Sequence, residues 1–350
     1  MQESSSRLES QGVLGIYGSE PGRSMDLDLL KAFRGEKPHR VPFWEVWYMM
    51  AGLTRHLLGE DADTPEKQVK LAKLLGWDAI CGGGAGPDLP AASKVASDGT
   101  SHYVPGALTS LDQLHKPYPD PRHWLEPLQR RIAVAHDEGL AVWFILVWCF
   151  EGIATAMGLE RLAFKCHDDI AFLHTAFEWV EDWNRLVIRE VVIPSGVDFV
   201  LFSGDCAFKN GLMVHPKTFR ELTCERTRAT VQPLKARGIP YTLHCDGKID
   251  DVAPMLIELG FSALHGIEAQ ANDLGEVKQR FGRDICLVGN MDVVFLTHAT
   301  KDDVRRKTEQ MLMVGSPGGR YVAACNTSPL DYIPYENYLA MVDVIRNFRC

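Results

Sequence analysis

The sequence has little of what marks several large protein classes. Its nine cysteines (81, 149, 166, 206, 224, 245, 286, 325 and 350) include no CxxC pair. It therefore carries neither a zinc-ribbon nor a thioredoxin-type redox signature, and the odd count fits a reducing cytoplasm. No GxGxxG and no P-loop occurs, which removes the usual marks of dinucleotide and nucleoside-triphosphate folds. No apolar run approaches a membrane span; the richest, Leu140 to Phe150, is about one buried strand long. The opening MQESSSRLES lacks the apolar core of a signal peptide, and residues 1–24 read as a flexible segment. Positive charge is also short: 37 Lys and Arg stand against 46 Asp and Glu, a formal net charge of −9. That balance excludes nucleic acid and anionic membrane as expected partners.

What remains is a long, ordinary globular composition, 350 residues with 46% hydrophobic and 24% charged, with an alternation of short apolar runs and amphipathic helices. Val41 to Trp47 reads as a first strand, rich in β-branched and aromatic residues. Further strands are expected at 78–81, 140–147, 198–202, 240–244, 263–267, 285–288 and 320–324. Helices separate them, including Thr64–Leu75 with Thr64, Pro65 and Glu66 as a start signal, and Asp168–Val192. The stretch from Ala85 to Pro119 reads as a loop. Eight strands without clean polar alternation are what a parallel barrel requires, because both faces of each strand are covered. The expected fold is a (β/α)₈ TIM barrel, one domain over residues 25–350.

Polar residues recur just past the apolar runs. Glu45 lies within the first; Trp148 and Glu151 follow the third, Asp205 the fourth, His244 and Asp246 the fifth. Glu268 follows the sixth, Asn290 and Asp292 the seventh, and Cys325 and Asn326 the eighth. In a (β/α)₈ barrel such positions converge on one mouth. Each also has a structural reading, Asp246 and Asp292 as helix caps for instance. As a set they predict an acidic pocket suited to acid–base work or metal ligation. Trp44, Trp47, Trp148 and Phe150 are candidates for flat apolar walls, or for core packing.

Several segments resemble the uroporphyrinogen decarboxylase superfamily: Arg40-Val-Pro-Phe-Trp-Glu45, Gly204-Asp-Cys-Ala-Phe-Lys-Asn-Gly211, His244-Cys-Asp-Gly247, His265-Gly-Ile-Glu268, Gly289-Asn-Met-Asp292 and Pro334-Tyr-Glu-Asn-Tyr-Leu-Ala-Met341. Their order and spacing hold over roughly residues 25 to 348. The resemblance implies one of two reactions. The methyltransferase branch moves a methyl group between a small donor, a corrinoid protein and an acceptor, commonly with zinc on a His-x-Cys pair and a late Cys. Here His244 is kept, Asp246 stands where that thiolate would be, and Cys325 lies near the late position. The resemblance thus implies a site with His244, Asp246 and Glu268 as the catalytic groups, and zinc on His244, Asp246 and Cys325. Glu45, Trp148, Asp205, Asn290, Asp292 and Asn326 would contact substrate, a corrinoid protein would be the partner, and the chain would form a homodimer. The decarboxylase branch is the alternative, acting on another carboxylate substrate.

Uroporphyrinogen itself is a poor fit. The family's arginine-rich N-terminal motif corresponds to Trp47–Arg55, where methionines and Leu53 replace its donors. A tetrapyrrole bearing many carboxylates needs fixed guanidinium partners, and each unrelieved like-charge contact costs on the order of a few kcal/mol at an effective dielectric of about 20. Anaerobic incubation with uroporphyrinogen, followed by chromatography for coproporphyrinogen, is expected to show no product. Turnover of roughly 1 per second, the range of an ordinary enzyme, would overturn this reading.

Overall fold

The computed structural model describes residues 27–90, 92–95, 101–104 and 106–349; the expected flexible segment 1–24 lies outside them. Seven parallel strands form one sheet: β1 (Ala79–Ala85), β2 (Ala141–Val147), β3 (Phe199–Ser203), β4 (Tyr241–Cys245), β5 (Ala263–Gly266), β6 (Cys286–Val288) and β7 (Tyr321–Val322). They neighbour one another in chain order, each linked to the next by helix. Parallel strands joined in chain order by helical crossovers curl a sheet toward closure.

The eighth place is taken by the segment expected as the first strand. It forms no continuous strand, only parallel bridges at Phe43 to Ala323 and at Met49 to Leu330. On one side Trp44 N donates to Ala323 O and Ala323 N to Pro42 O; on the other Asp78 N donates to Phe43 O. Residues 42–49 are therefore a stave hydrogen-bonded to both edges of the sheet, and the ring is a (β/α)₈ barrel. The pairing is short because Pro42 has no N–H to give and the chain turns at Trp47, whose φ is 51°.

Alternation along the strands sorts side chains cleanly. Trp44, Val46, Ala79, Ala141, Trp143, Phe199, Leu201, Val288, Val322 and Ala324 point into the barrel and pack as one buried cluster. Their neighbours, such as Phe43, Val142, Phe144, Val200, Leu243, Leu264 and Ala323, pack outward under the helices. The helix Asp28–Arg34 plugs the barrel floor with Leu29, Leu30, Ala32 and Phe33. Phe33 meets Phe199 edge-on at 5.1 Å, and Trp44 meets Trp143 at 5.4 Å.

The helix starts follow their signals: Thr64 accepts from Lys67 N, and Gly59 ends the preceding helix in the left-handed region. The long helix expected over Asp168–Val192 is Ile170–Val187, continued through a wider turn at Ile188–Val192. Two helices, Cys149–Met157 and Leu159–Asp168, were not foreseen, and the stretch read as loop includes an antiparallel pair, Ala92–Val95 with Ser101–Val104.

Asp78 joins the stave to β1. Its carboxylate accepts from Arg40 at 2.5 and 3.1 Å and from Phe43 N at 2.7 Å. Removing it strands the Phe43 N–H inside the protein, so Asp78→Ala is expected to cost about 2–4 kcal/mol. Urea unfolding at pH 7 checks this; a loss under about 0.5 kcal/mol would mean the stave closes without it.

Candidate active site

At the C-terminal ends of β3 and β4 three donor atoms converge. Asp205, His244 and Asp246 each offer one ligand atom, all within 4.8 Å of one another; among the described residues no other group of His, Cys, Asp and Glu does this. His244 sits on β4 between Leu243 and Cys245, which face outward, so its ring points inward. Its Nε2 lies 3.7 Å from Asp205 Oδ1 and 3.8 Å from Asp246 Oδ1. These gaps are too long for hydrogen bonds. They suit ligands of one ion, since bonds of about 2.0–2.2 Å put tetrahedral ligand atoms about 3.4 Å apart. Asp246 Oδ1 is buried without a hydrogen-bond partner, a lone pair that an ion would satisfy.

The backbone fixes this arrangement. Asp205 Oδ1 accepts from Asp246 N at 2.9 Å, tying the two loops together. Gly247 follows at φ 85°, where a Cβ would stand 2.5 Å from Ala207 O; only glycine fits there. Glu268 Oε2 accepts from Gly247 N at 3.0 Å, and its other oxygen lies 3.8 Å from Lys209 Nζ.

Two further residues complete the cluster: Glu151, already expected at the mouth past the third expected strand, and His265, which was not among the expected mouth residues. His265 pairs with His244 in the ladder between β4 and β5, and their Nδ1 atoms are 2.7 Å apart. Burial holds both imidazoles below their ordinary pKa, with His244 adding to the effect at His265. Both are thus neutral at pH 7, and one Nδ1 donates to the other. Glu151, in the first turn of the helix Cys149–Met157, accepts from Ser203 Oγ on β3. Burial raises its carboxyl to about 7, with Asp205 opposing its ionisation. Asp246 is likewise pushed to about 7, by burial first and then by Asp205, Glu268 and Glu151.

Other expected residues lie elsewhere. Glu45 faces away from the barrel interior, because Trp44 and Val46 on either side face in; it accepts from Cys325 N at 3.1 Å and Tyr338 Oη at 3.2 Å. Cys325 shares that outward environment: of the expected His244, Asp246 and Cys325, the structure brings the first two together with Asp205 and leaves Cys325 outside the group. Trp148 is fully buried, donates to Thr227 Oγ1 at 2.8 Å and meets Phe219 edge-on; it is core, not a pocket wall. Asn326 accepts from Val293 N, and Asp292 caps the helix Val293–His298. Asn290 Nδ2 donates to Ile267 O, at the end of β5. Trp47 does face the cluster, edge-on to His244 at 4.9 Å.

Comparison with known proteins agrees with this architecture. The family described as uroporphyrinogen decarboxylase (URO-D) matches over residues 149–348, a span holding all the cluster residues. A methyltransferase from Methanosarcina mazei superposes with a TM-score of 0.70 at 16% identity, over 92% of this chain and 98% of that one. A D-psicose 3-epimerase from Clostridium cellulolyticum H10 covers 89% of this chain and all of its own, at 10% identity and a TM-score of 0.47. No curated protein matches the sequence.

Glu45 gives a pH test away from the cluster. Burial lifts its carboxyl from 4.5 to about 7, against the opposing effect of its hydrogen bonds to Cys325 and Tyr338. Between these two values the folded state holds a proton that the unfolded state releases, so this contribution to stability falls as pH rises from about 4.5 to about 7, by up to about 3 kcal/mol. Glu45→Gln keeps an acceptor and removes the titration. The variant is expected to gain stability over the parent at pH 8 but not at pH 4.5, by urea unfolding at both; an equal effect at the two would remove burial as the cause.

Proposed function

Since this chain belongs to the uroporphyrinogen decarboxylase family, we propose that it is a methyltransferase of the family's corrinoid-linked branch, taking a methyl group from a small donor at the barrel mouth. The observation that carries this reading is the Asp205–His244–Asp246 group with its unpartnered Asp246 oxygen. The fold likeness to the Methanosarcina methyltransferase supports it.

Asp205, His244 and Asp246 would hold a divalent ion of borderline hardness, zinc being the one a mixed imidazole and carboxylate set suits. Such an ion supplies Lewis acidity, withdrawing electrons from the atom that bears the methyl group. His244 binds through Nε2 only if its proton sits on Nδ1. His265 Nδ1, at 2.7 Å, would support that tautomer by accepting the proton's hydrogen bond. His265 is thus a positioning residue. When the methyl group leaves for the corrinoid of the partner protein, the donor atom keeps the bonding pair and takes a proton. Glu151, whose carboxyl burial raises to about 7, would hold that proton beside Ser203. Glu268 fixes the Asp246–Gly247 turn. The enzyme would work in the cytoplasm; no described helix is long and apolar enough to cross a membrane, and the eight described cysteines are free.

Protein reconstituted with zinc is expected to retain about one equivalent after dialysis, with His244→Ala retaining none and losing turnover by 100-fold or more. His265→Ala should weaken zinc by roughly 10- to 100-fold. Metal analysis, and anaerobic methylation of a corrinoid protein by methanol, methylamines or methyl ethers, are the measurements. Undiminished zinc in His244→Ala would overturn the ligand assignment, and absence of methyl transfer from every donor class would overturn the reaction.

A further inference from the structure

The barrel wall has a gap. The stave stays paired with the β7 side as far as Met49, whose N donates to Pro329 O, but it leaves β1 after the single bond from Asp78 N to Phe43 O. Between the diverging stave and β1 lies a cavity of about 620 Å³, within the size range of small-molecule sites. Its walls include Trp47, Tyr48, Trp77, Ile80 and Trp143, and the helix 125–137 contributes Arg131.

Arg131 is the unusual group. Its Nη1 donates to Cys81 O at 2.9 Å, but Nε is buried with no partner, and no described residue forms an ion pair with it. That leaves Nη2 as the guanidinium's uncommitted donor, carrying a charge that the sealed Nε does nothing to relieve. The cavity's other charged residues do not compete for it. Asp61 is paired with Arg55 and Asp63 with Lys67, each at 2.8 Å. Glu45 is engaged by Cys325 and Tyr338. Trp143, almost wholly buried, has an indole N–H that likewise lacks a partner. An unpaired, part-buried guanidinium beside flat aromatic walls selects for one carboxylate on a planar apolar body.

We propose that this gap in the barrel wall binds a small aromatic monocarboxylate, its carboxylate on the Arg131 guanidinium through Nη2 and its ring among Trp47, Trp77 and Trp143. Trp47 also meets His244 edge-on, so the cavity adjoins the mouth. The assignment of this ligand as the methyl donor, a methylated aryl acid, rests on the methyl-transfer reading; the site itself does not.

The test uses the full chain with and without zinc, and benzoate as probe, with toluene and tetramethylammonium beside it, by calorimetry and ligand-observed NMR. Benzoate is expected to bind with a dissociation constant below about 1 mM. Arg131→Gln should weaken it by roughly 10- to 100-fold, the worth of charge-assisted hydrogen bonds, while leaving weak toluene binding unchanged. Arg131→Lys, which keeps the charge but not the fork, should fall between. His244→Ala should lose zinc and keep benzoate. Three results overturn the proposal: no benzoate binding by folded parent protein, equal binding by parent and Arg131→Gln, or binding only with zinc and lost in His244→Ala. Preference for tetramethylammonium would overturn it too, by assigning the aromatic walls to a cation. Failure of benzoate with zinc intact leaves the metal reading standing, and the converse leaves the cavity standing.

Discussion

The carboxylate of Asp78 holds together two pieces of chain that the sheet alone does not zip. It accepts from the Phe43 amide and from Arg40, and its own amide donates to Phe43 O. Through these bonds the stave closes the ring between β7 and β1. Closure sets the rest: it seats Trp44 on Trp143 and Phe199 above the floor helix. It also turns Glu45 outward and delivers Trp47 to the mouth beside His244. Because the bonding is confined to one point on the β1 side, the wall opens above it, and the cavity is a direct consequence of how little pairing closure needs.

At the mouth the same chain segments create an electrostatic problem. Asp205 and Asp246 flank one imidazole with Glu268 and Glu151 acting on Asp246, and desolvation with mutual repulsion lifts Asp246 and Glu151 to about 7. A fold built for stability alone would relieve this with arginine or with apolar residues. Lys209 is the nearest relief, 3.8 Å from Glu268 and more than half exposed, where its attraction is largely screened. Retaining half-buried carboxylates that repel one another is reasonable where a cation, or a transferred proton, is to be held between them.

Much of this was legible in the sequence, and what was missed has definite causes. Largely apolar stretches at 140–147, 198–202 and 240–244 announce covered parallel strands, and His244 and Asp246 stand out at the end of one. Strand alternation carries further information: Trp44 and Glu45 are adjacent on extended chain, so only one of them can face the barrel interior. The same rule separates Ala324, which faces in, from Cys325, which does not. Trp148 sits just where a mouth residue would, but the following residues form a helix that carries its indole down to Thr227. Such a turn depends on tertiary packing and has no local signature. His265 was visible as part of a motif, and its role emerges only when β5 is set in register with β4. Arg131 had no sequence signal at all; its significance is the absence of a partner.

Charge bears on the two reactions the family resemblance allows, and it counts against a substrate of uroporphyrinogen's kind. A substrate with many carboxylates needs several guanidinium groups converging on one space. The stave region offers none at the relevant positions: Leu53 is fully buried, and an arginine there would have to leave an unpaired charge in the core, while Met49 is exposed at the surface. The charges that do converge at the mouth are negative, and they call for a cation there. Arg131 lies apart from them, behind Trp47 in the wall, and one guanidinium accommodates one carboxylate. The protein thus separates its two electrostatic tasks in space, an anion-seeking edge in the wall and a cation-seeking group at the mouth. That separation suits a reaction in which a small acid is held at one end while chemistry proceeds at the other.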